Sequence, residues 1–362
     1  MENKTTRLSH SAVTRYQTCP KSFDYHYNHG LRTVTTTGAL LFGSAVDAGL
    51  TALVGSGTKS AESCFMDAWT NSSINDVSVY LPTCTRVVYS DSDADKDLLT
   101  PDAYKTLAET YGADWEEILN KIIQKKKMIG FKYIKKEEKE LLNHYNWLCL
   151  SYKGLLMIDA VRKQILPKIE KVLGTQVEVK LENSQGDKII GFADLIAKYK
   201  GIDKPVVFDW KTSSIDYDED SVLISPQLSL YVHALSEQFE NTRHAGFIVL
   251  HKRIIKNKKK VCKTCGYDGT GARHKTCSAT INEKRCDGEW VETLSPEVKI
   301  QVITNEIPEQ TEQIIIENID QINIAIKTGN FIRNLNSCKR PWGICEFHSK
   351  CFKGSDEGLI KK

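Results

Sequence analysis

The chain has 362 residues, of which 41% are hydrophobic and 26% are charged, a composition typical of a globular protein with one large domain or two modest ones. No apolar stretch approaches the ~20 residues that span a bilayer, and the polar start is unlike a signal peptide, so we expect a cytoplasmic protein without a membrane segment. The net charge of +3 is too small to identify a nucleic-acid binder by itself.

The first half of the chain is predicted to be mostly helical. A helix is expected within Leu8–Tyr27, with Ser9 as its N-cap, and Gly38–Val54 is apolar with small residues, as in a buried helix. Residues 70–102 are loop-like and resemble an insertion. From Trp115 to Val172, apolar positions recur at helical spacing, which predicts a helical subdomain.

The second half alternates between strand and helix patterns, which predicts an α/β domain. Strands are predicted at Gln176–Leu181, Ile189–Tyr199, Pro205–Lys211, His244–Ile255 and Trp290–Leu294. Helices are predicted at Pro226–Phe239 and at Gln310–Lys327, the second followed by Gly329 as a C-cap.

Charged residues lie on the two neighbouring strands of a predicted antiparallel hairpin, Asp194 within the first strand and Asp209 with Lys211 at the end of the second. Because side chains alternate along a strand, Asp209 and Lys211 should share a face, with Trp210 opposite. Two carboxylates can bind Mg²⁺ or Mn²⁺, and a lysine can orient or deprotonate water, which together suit phosphodiester hydrolysis. The alternative is a surface ion pair between Asp209 and Lys211 beside an unrelated Asp194.

In discontinuous blocks the sequence resembles the RecB-like branch of the PD-(D/E)xK nucleases. The segment from Ser9 to Tyr25, with Cys19-Pro20 in it, is similar to the N-terminal signature of that branch. The G-x-x-D-x-I block matches Gly191–Ile196, and the D-x-K-T block matches Asp209–Thr212. The helical Q-x-x-x-Y motif matches Gln227 and Tyr231, which lie one turn apart on one helix face.

The resemblance implies a restriction-endonuclease-like fold, in which a mixed β-sheet core is flanked by helices. It implies that Asp194 and Asp209 bind Mg²⁺ or Mn²⁺, that Lys211 assists hydrolysis, and that two further residues, Gln227 and Tyr231, line the active site and contact DNA. For Tyr231, a purely structural role as a buried tyrosine is the alternative.

The activity implied is that of a metal-dependent deoxyribonuclease, most often an exonuclease in recombination, repair or phage DNA processing. DNA, as single strands or duplex ends, is the expected partner, with recombination or replication proteins as further candidates. The chain has no P-loop or helicase motif, so no ATP-driven unwinding is expected. Two alternatives stay open, a structure-specific endonuclease and a non-catalytic DNA-binding protein that retains the fold.

One position departs from the family pattern. The family usually has a G-x-x-x-H block whose histidine binds a metal, whereas this chain has Gly43 and then Asp47 in the histidine position. Asp47 can still supply an oxygen ligand to Mg²⁺ or Mn²⁺. Glu178, on the strand before Asp194, is a further acidic candidate for which we favour a structural role.

A tight group of cysteines predicts a zinc site. Its members are Cys262, Cys265, Cys277 and Cys286, which include a C-x-x-C pair and suit a closed tetrahedral ion. His274 is an alternative to one of the four. The segment is too polar to bury a core of its own, so the metal would supply its folding energy.

A second group has looser spacing and consists of Cys338, Cys345 and Cys351, joined by the distant Cys19. This arrangement resembles the 4Fe–4S cluster of RecB-like and CRISPR-adaptation nucleases, in which one N-terminal cysteine meets three C-terminal ones. Four thiolates also suit zinc. Either metal would tie the two ends of the chain together.

These patterns divide the chain into five predicted parts. They are an N-terminal helical part (1–60), a helical subdomain or insertion (61–175), the catalytic core (176–256), a zinc-ribbon insertion (257–290) and a C-terminal helix with the cysteine clasp (291–362). Two lysine-rich runs, 121–139 and 252–263, are either phosphate-binding surfaces or solvated faces.

Overall fold

The computed structural model describes residues 8–34, 38–55, 57–73, 136–182, 188–269, 274–281, 283–340 and 343–362. Most of the helical subdomain predicted at 61–175, most of the predicted loop at 70–102, and the lysine-rich run at 121–139 except for its last four residues lie outside this part of the chain.

The described residues form a mixed α/β structure around one six-stranded sheet. Its strand order is β1-β4-β5-β6-β9, and β3 pairs with β4 as well. The strands of this sheet are β1 (Leu8–Ser9), β3 (Ile169–Glu182), β4 (Lys188–Tyr199), β5 (Val206–Ser213), β6 (His244–Cys262) and β9 (Trp290–Glu306). Short two-stranded pairs join β2 (Leu31–Thr33) to β12 (Leu359–Lys361), β7 (Thr280–Ile281) to β8 (Lys284–Arg285), and β10 (Lys339–Arg340) to β11 (Gly343–Ile344).

Helices cover both faces of the sheet. They are α1 (His10–Thr18), α2 (Pro20–Phe23), α3 (Gly38–Val54), α4 (Ala61–Ser73), α5 (Lys136–Gln164), α6 (Glu219–Leu223), α7 (Pro226–Leu235), α8 (Glu309–Lys327) and α9 (His348–Lys353). None of the helices in the described ranges has the length and apolar character needed to cross a membrane.

The central strand β5 is buried on both faces, which explains its continuous apolar run. Val206 and Phe208 pack into a cluster with α3, α4 and α5, whereas Val207 packs into a second cluster with α1, α7 and α8. All three side chains are fully buried. The predicted mixed sheet flanked by helices is therefore present, and β5 stands between two hydrophobic layers.

The layout along β4 creates an opening in the sheet. β3 pairs with β4 along its whole length, so β1 and β5 share the opposite edge. On that edge β1 pairs with Ile189 and Ile190, and β5 pairs with β4 only from Leu195 to Ala197. Among the described strands, none pairs with residues 191–194 on this edge, so the G-x-x-D segment faces an open space.

Several predicted elements are confirmed with changed bounds. Ser9 caps α1 by accepting a hydrogen bond from the Ala12 backbone N at 3.2 Å, and α3 has the predicted bounds. The helical pattern expected to reach Val172 ends at Gln164, and β3 already begins at Ile169. The predicted division at 175/176 therefore falls within a strand.

The predicted ribbon is carried by a long hairpin. β6 and β9 pair from His244 with Glu306 out to Cys262 with Trp290, well beyond the predicted strand ends. The divisions expected at 256/257 and 290/291 thus cut through paired strands. The lysine-rich run at 252–263 forms the outer half of β6.

Candidate active site and cysteine clusters

Asp194 and Asp209 meet where β4 and β5 diverge. The last pair between the two strands is Leu195 with Phe208, and beyond it β5 stays paired only with β6. Across the gap, the Asp194 Oδ2 atom accepts a hydrogen bond from the Trp210 backbone N at 2.9 Å. The antiparallel pairing predicted from sequence thus brings the two carboxylates together.

Lys211 lies on the same face of β5 as Asp209, as predicted. Its Nζ is 2.5 Å from Asp209 Oδ2 and donates to Gln227 Oε1 at 3.1 Å. Gln227 in turn donates from Nε2 to Asp209 Oδ1 at 2.6 Å. One amide therefore holds the carboxylate and the ammonium at once, which orients both.

Gln227 is placed by the start of α7. Ser225 caps this helix by accepting from the Leu228 backbone N, and Pro226 occupies the first turn. One turn later, Tyr231 is buried with its hydroxyl 3.0 Å from Gln227 Nε2. Burial raises the pKa of Tyr231 to about 12, so the hydroxyl stays protonated.

Gly191, the glycine of the G-x-x-D block, is required at its position for a steric reason. A Cβ atom on Gly191 would lie 2.9 Å from the ring of Tyr231, closer than real Cβ atoms approach. Glycine at this position therefore lets the ring of Tyr231 pack directly on β4. The two motifs, distant in sequence, depend on each other.

Asp47 reaches the same site from α3. Between Asp47 and Asp194 lies the amide of Gln176, whose Nε2 is 3.4 Å from an oxygen of each and 3.2 Å from Thr51 Oγ1. Gln176 is on β3 with a φ of 48°, and its neighbours pair with Leu195 and Ala193, so it lies opposite Asp194. Gln176 was not among the predicted site residues. The signal that could have identified it is a glutamine on the predicted strand that precedes the strand of Asp194.

Burial raises the pKa values of all three carboxyl groups. For Asp194, burial followed by the charges of Asp209 and Asp47 raises the pKa to about 8. Burial and then the charge of Asp209 raise the pKa of Asp47 to about 6, and burial raises the pKa of Asp209 although Lys211, Asp194 and Gln227 act against it. Desolvation is therefore the main obstacle to ionising these groups, and neighbouring charge adds to it for Asp194 and Asp47.

A groove of about 490 Å³ opens beside these groups. One wall is the start of α1, including His10, and the other is β4, including Phe192, with Gln227 and Tyr231 also lining the space. Burial and then the charge of Lys211 lower the pKa of His10 to about 4, so its ring is neutral at pH 7. His10 and Phe192 were not among the predicted site residues.

The comparison with protein families agrees with this geometry. The model of the PD-(D/E)XK nuclease superfamily matches residues 7–352 of the chain. The chain belongs to this superfamily. Among curated proteins, no match to the nuclease was found.

Glu178 of the nuclease lies outside the carboxylate group. Its side chain is 40% exposed and pairs with Lys180 at 2.7 Å. The structural or edge role that we favour for Glu178 stays a prediction. The six other predicted polar side chains, those of Asp47, Asp194, Asp209, Lys211, Gln227 and Tyr231, are connected by the contacts above, Asp47 through the Gln176 amide.

The ribbon cysteines of the nuclease do come together. The ligand atoms of Cys262, Cys265, Cys277 and Cys286 all lie within 4.8 Å of one another, and they form the single such group of His, Cys, Asp or Glu found among the described residues. Two Sγ–Sγ distances are 3.6 Å. A tetrahedral zinc with bonds of about 2.3 Å places its sulfurs about 3.8 Å apart, so the spacing fits one ion.

The backbone favours a thiolate at Cys262, whereas neighbouring thiols and burial raise the pKa values of Cys265, Cys277 and Cys286. Burial raises the pKa of Cys262, but the backbone N–H groups of Cys265 and Thr264 outweigh it and lower this pKa to about 6. A Cβ atom on Gly288 would lie 2.6 Å from Cys262 Sγ, so glycine is needed there. His274 is outside the group and accepts from Trp290 Nε1 through its backbone carbonyl.

The second cysteine set is arranged differently. Cys19, Cys338, Cys345 and Cys351 line one apolar cavity of about 20 Å³, near Phe347. Among the described residues, the sulfur atoms of these four cysteines do not form a group within 4.8 Å of one another, as those of the ribbon cysteines do. The topology thus brings the N-terminal cysteine to the three C-terminal ones, as the resemblance implied, but at a wider spacing.

Proposed function

We propose that this nuclease is a Mg²⁺- or Mn²⁺-dependent deoxyribonuclease that hydrolyses phosphodiester bonds at the site where β4 and β5 diverge. The observation that carries the proposal is the convergence of Asp194, Asp209, Lys211 and Gln227 beside an open groove. Carboxylates with a positioned lysine suit a charged substrate and a water nucleophile.

A divalent cation fits the observed donor set. Asp209 Oδ2 is buried with the Lys211 ammonium 2.5 Å away, and burial followed by the charge of neighbouring carboxylates raises the pKa values of Asp194 and Asp47, a cost that a bound cation would offset. Asp194 and Asp209 would hold the ion, with Asp47 as a further oxygen ligand once the Gln176 amide moves aside. When bound, the ion polarises the phosphate and lowers the pKa of water at the site.

The chain's own groups do the positioning. As an ammonium beside Asp209, Lys211 can orient the attacking water and offset charge on the phosphate. To deprotonate the water, Lys211 would first have to lose its own proton and act as the neutral amine. Through one hydrogen bond to each group, the Gln227 amide fixes the position of the Lys211 ammonium relative to the Asp209 carboxylate. Tyr231, neutral and hydrogen-bonded to Gln227, fixes the amide rather than exchanging a proton.

The expected role is that of an exonuclease in the cytoplasm, acting on DNA ends in recombination, repair or phage DNA processing, with recombination or replication proteins as candidate partners. This context follows from the resemblance to RecB-like enzymes. A structure-specific endonuclease is the competing activity, and covalently closed circular DNA separates the two because it has no end to digest.

Cleavage of labelled single- and double-stranded DNA with Mn²⁺ or Mg²⁺ tests the proposal. Lys211→Ala is expected to slow cleavage by at least about 10²-fold, because it removes the group that positions or deprotonates the water. Lys200→Ala, which removes an exposed lysine in the turn after β4, is the matched control and should keep full activity. Equal inertness of the parent and Lys211→Ala would favour the non-catalytic DNA-binding alternative.

We further propose zinc at the four ribbon cysteines, supported by their mutual spacing and by the cradle of Gly288. For Cys19, Cys338, Cys345 and Cys351 we propose a 4Fe–4S cluster, with zinc as the alternative. The support for a shared metal group is that all four cysteines line one cavity, which brings the N-terminal cysteine to the three C-terminal ones. The cavity is small, so the surrounding side chains must rearrange when the cluster binds.

A further inference from the structure

The amide of Gln176 is surrounded by more oxygen atoms than it can serve with good hydrogen bonds. Its Nε2 atom lies 3.2 Å from the Thr51 hydroxyl and 3.4 Å from Oδ1 of Asp194. The two carboxylate oxygens of Asp47 are 3.4 and 3.5 Å away. An N–H···O hydrogen bond is usually about 2.9–3.0 Å long, and an amide nitrogen has two hydrogens. Four oxygens thus share two N–H groups, each at a long distance.

The backbone of Gln176 is also unusual. Its φ of 48° lies in the left-handed region, which residues with a Cβ atom rarely adopt. The residues on either side, Thr175 and Val177, are both paired with β4, so this conformation falls within a paired strand. Such conformations persist where the surrounding structure requires them, and they are concentrated at functional sites. Here the conformation goes with an amide held between Asp47 and Asp194.

The spacing around the amide resembles that of neighbouring ligands on one small cation. Mg²⁺ binds oxygens at about 2.0–2.1 Å in an octahedron, which places neighbouring ligands about 3.0 Å apart. The distances from Gln176 Nε2 to oxygens of Asp47, Thr51 and Asp194 are only slightly longer than this. The end of the amide therefore stands where one more ligand would lie beside the two carboxylates.

The amide can present either of two atoms at this place. Nε2 is a hydrogen-bond donor and suits the carboxylates, whereas Oε1 has the lone pairs that bind a cation. A half-turn about the last side-chain torsion exchanges the two atoms and leaves the rest of the side chain in place, and this torsion is broad in glutamine. The movement of the Gln176 amide that a cation between Asp47 and Asp194 requires is then a rotation.

We propose that Gln176 is a ligand of the divalent cation and presents Oε1 to it beside Asp47 and Asp194. The inference rests on the proposed nuclease function and adds a residue to its metal site. With Asp47 in place of the family histidine, the site has no imidazole ligand, and the amide adds a neutral oxygen to the carboxylates. Ligands that are all oxygens suit Mg²⁺ and Mn²⁺, whereas imidazole suits Ni²⁺ and Zn²⁺.

Calorimetric titration of the protein with MnCl₂, in the absence of DNA, tests the assignment. Gln176→Leu removes the oxygen, and Gln176→Asn retracts the amide by one methylene group while suiting the left-handed backbone. Both should weaken Mn²⁺ binding by about ten-fold or more. Gln176→Glu keeps an oxygen at the same reach and should bind Mn²⁺ at least as tightly as the parent. Gln321→Leu, which changes an exposed glutamine on α8, is the matched control.

A change of metal preference separates a ligand from a residue that only bridges the carboxylates. Gln176→His places an imidazole nitrogen at a similar reach, so the ratio of Ni²⁺ affinity to Mn²⁺ affinity should rise by about ten-fold or more. If the amide only blocks the cation, Gln176→Leu and Gln176→Asn should bind Mn²⁺ as tightly as the parent or more tightly. That result, or an unchanged ratio in Gln176→His, would overturn the proposal.

Asp194→Asn distinguishes the failure of this inference from the failure of the nuclease function. If Asp194→Asn loses Mn²⁺ binding but Gln176→Leu keeps it, the metal site and the nuclease proposal stand and the assignment of Gln176 is wrong. If Gln176→Leu and Gln176→Asn lose Mn²⁺ binding while the parent binds Mn²⁺ without cleaving DNA, the assignment of Gln176 stands and the nuclease proposal is wrong. A parent that binds no Mn²⁺ would contradict both.

Discussion

Asp194 illustrates how a single residue in this site trades stability against chemistry. Its carboxylate accepts a backbone hydrogen bond from Trp210, but burial and two neighbouring aspartates raise its pKa to about 8. A group whose folded pKa lies above its ordinary value of 3.8 contributes stability that is present below that value and lost as the pH rises towards 8. Ionised Asp194 should therefore destabilise the metal-free protein under mildly alkaline conditions.

Asp194→Asn is expected to raise the melting temperature of the metal-free protein at pH 8 by at least about 2 °C, because it removes one charge while its amide oxygen can still accept from Trp210. The gain should shrink between pH 8 and pH 5, where the parent carboxyl is protonated in the folded state. Calorimetry in EDTA at several pH values measures this.

Mn²⁺ should reverse the order of the two melting temperatures, so that the parent becomes more stable than Asp194→Asn. The ion should stabilise the parent more at pH 8 than at pH 5, because it competes with protons for the carboxylates, and it should stabilise Asp194→Asn much less. The variant should also fail to cleave DNA. A parent whose melting temperature is indifferent to Mn²⁺ at pH 8 would contradict a metal site at these carboxylates.

At the scale of elements, the active site depends on the way β4 pairs. β3 covers one edge, while β1 and β5 divide the other and leave residues 191–194 open to α7. Gly191 is the contact point, since its missing side chain makes room for the Tyr231 ring. The position of α7 on the sheet therefore determines where Gln227 stands relative to Asp209.

Gly191→Ala should lower both stability and activity. The added methyl must displace the Tyr231 ring, at a cost of about 1–3 kcal/mol typical of overpacking, and it should shift Gln227 away from Asp209. Thermal unfolding and the cleavage rate measure the two effects. Gly57→Ala, where an added Cβ meets nothing within 4 Å, is the matched control and should change neither.

The ribbon at the end of the β6–β9 hairpin is a second element, and we expect its folding to depend on bound zinc. Cys265→Ser is expected to lower the zinc content by one ion per chain, because the tetrahedral set loses a thiolate. Limited proteolysis should then cut between Cys262 and Trp290. The main unfolding transition should stay near that of the parent, since the sheet core lies at the other end of the hairpin; a collapse of the whole fold would contradict this separation.

Across the whole molecule, the two ends of the described chain are held together by direct contacts. Tyr16 donates from its hydroxyl to the Asn330 carbonyl at 2.5 Å, and Arg15 Nη1 lies 2.6 Å from Glu346 Oε1. β2 pairs with β12 near the C-terminus. These contacts surround Cys19 and place the N-terminal segment beside the C-terminal cysteines.

Cys345→Ser is therefore expected to lose the iron and the visible absorbance of anaerobically purified protein, yet to remain folded with a melting temperature lowered by several degrees. Iron analysis, which should give about four irons per parent chain, and thermal unfolding measure both effects. Cys64→Ser, outside either cysteine group, is the control. Zinc without iron in the parent would replace the proposed cluster with a single-ion site.

Much of the fold was predictable because it consists of helices and strands that local sequence patterns identify. The apolar run of β5 and the capped start of α1 identify elements from neighbouring residues alone. The lengths of β3, β6 and β9 were underestimated, because strands that extend past a core with polar residues lack the apolar periodicity on which the prediction rests.

The sequence by itself determined which groups are candidates for the chemistry, since carboxylates, a lysine and paired cysteines have chemical meanings that do not depend on the fold. Only the tertiary structure decided that Gln176 lies between Asp47 and Asp194, that His10 and Phe192 are among the residues lining one groove, and that Glu178 stands aside. The reason is that such contacts join residues far apart in the chain, and only the packing of sheet and helices specifies which of them meet.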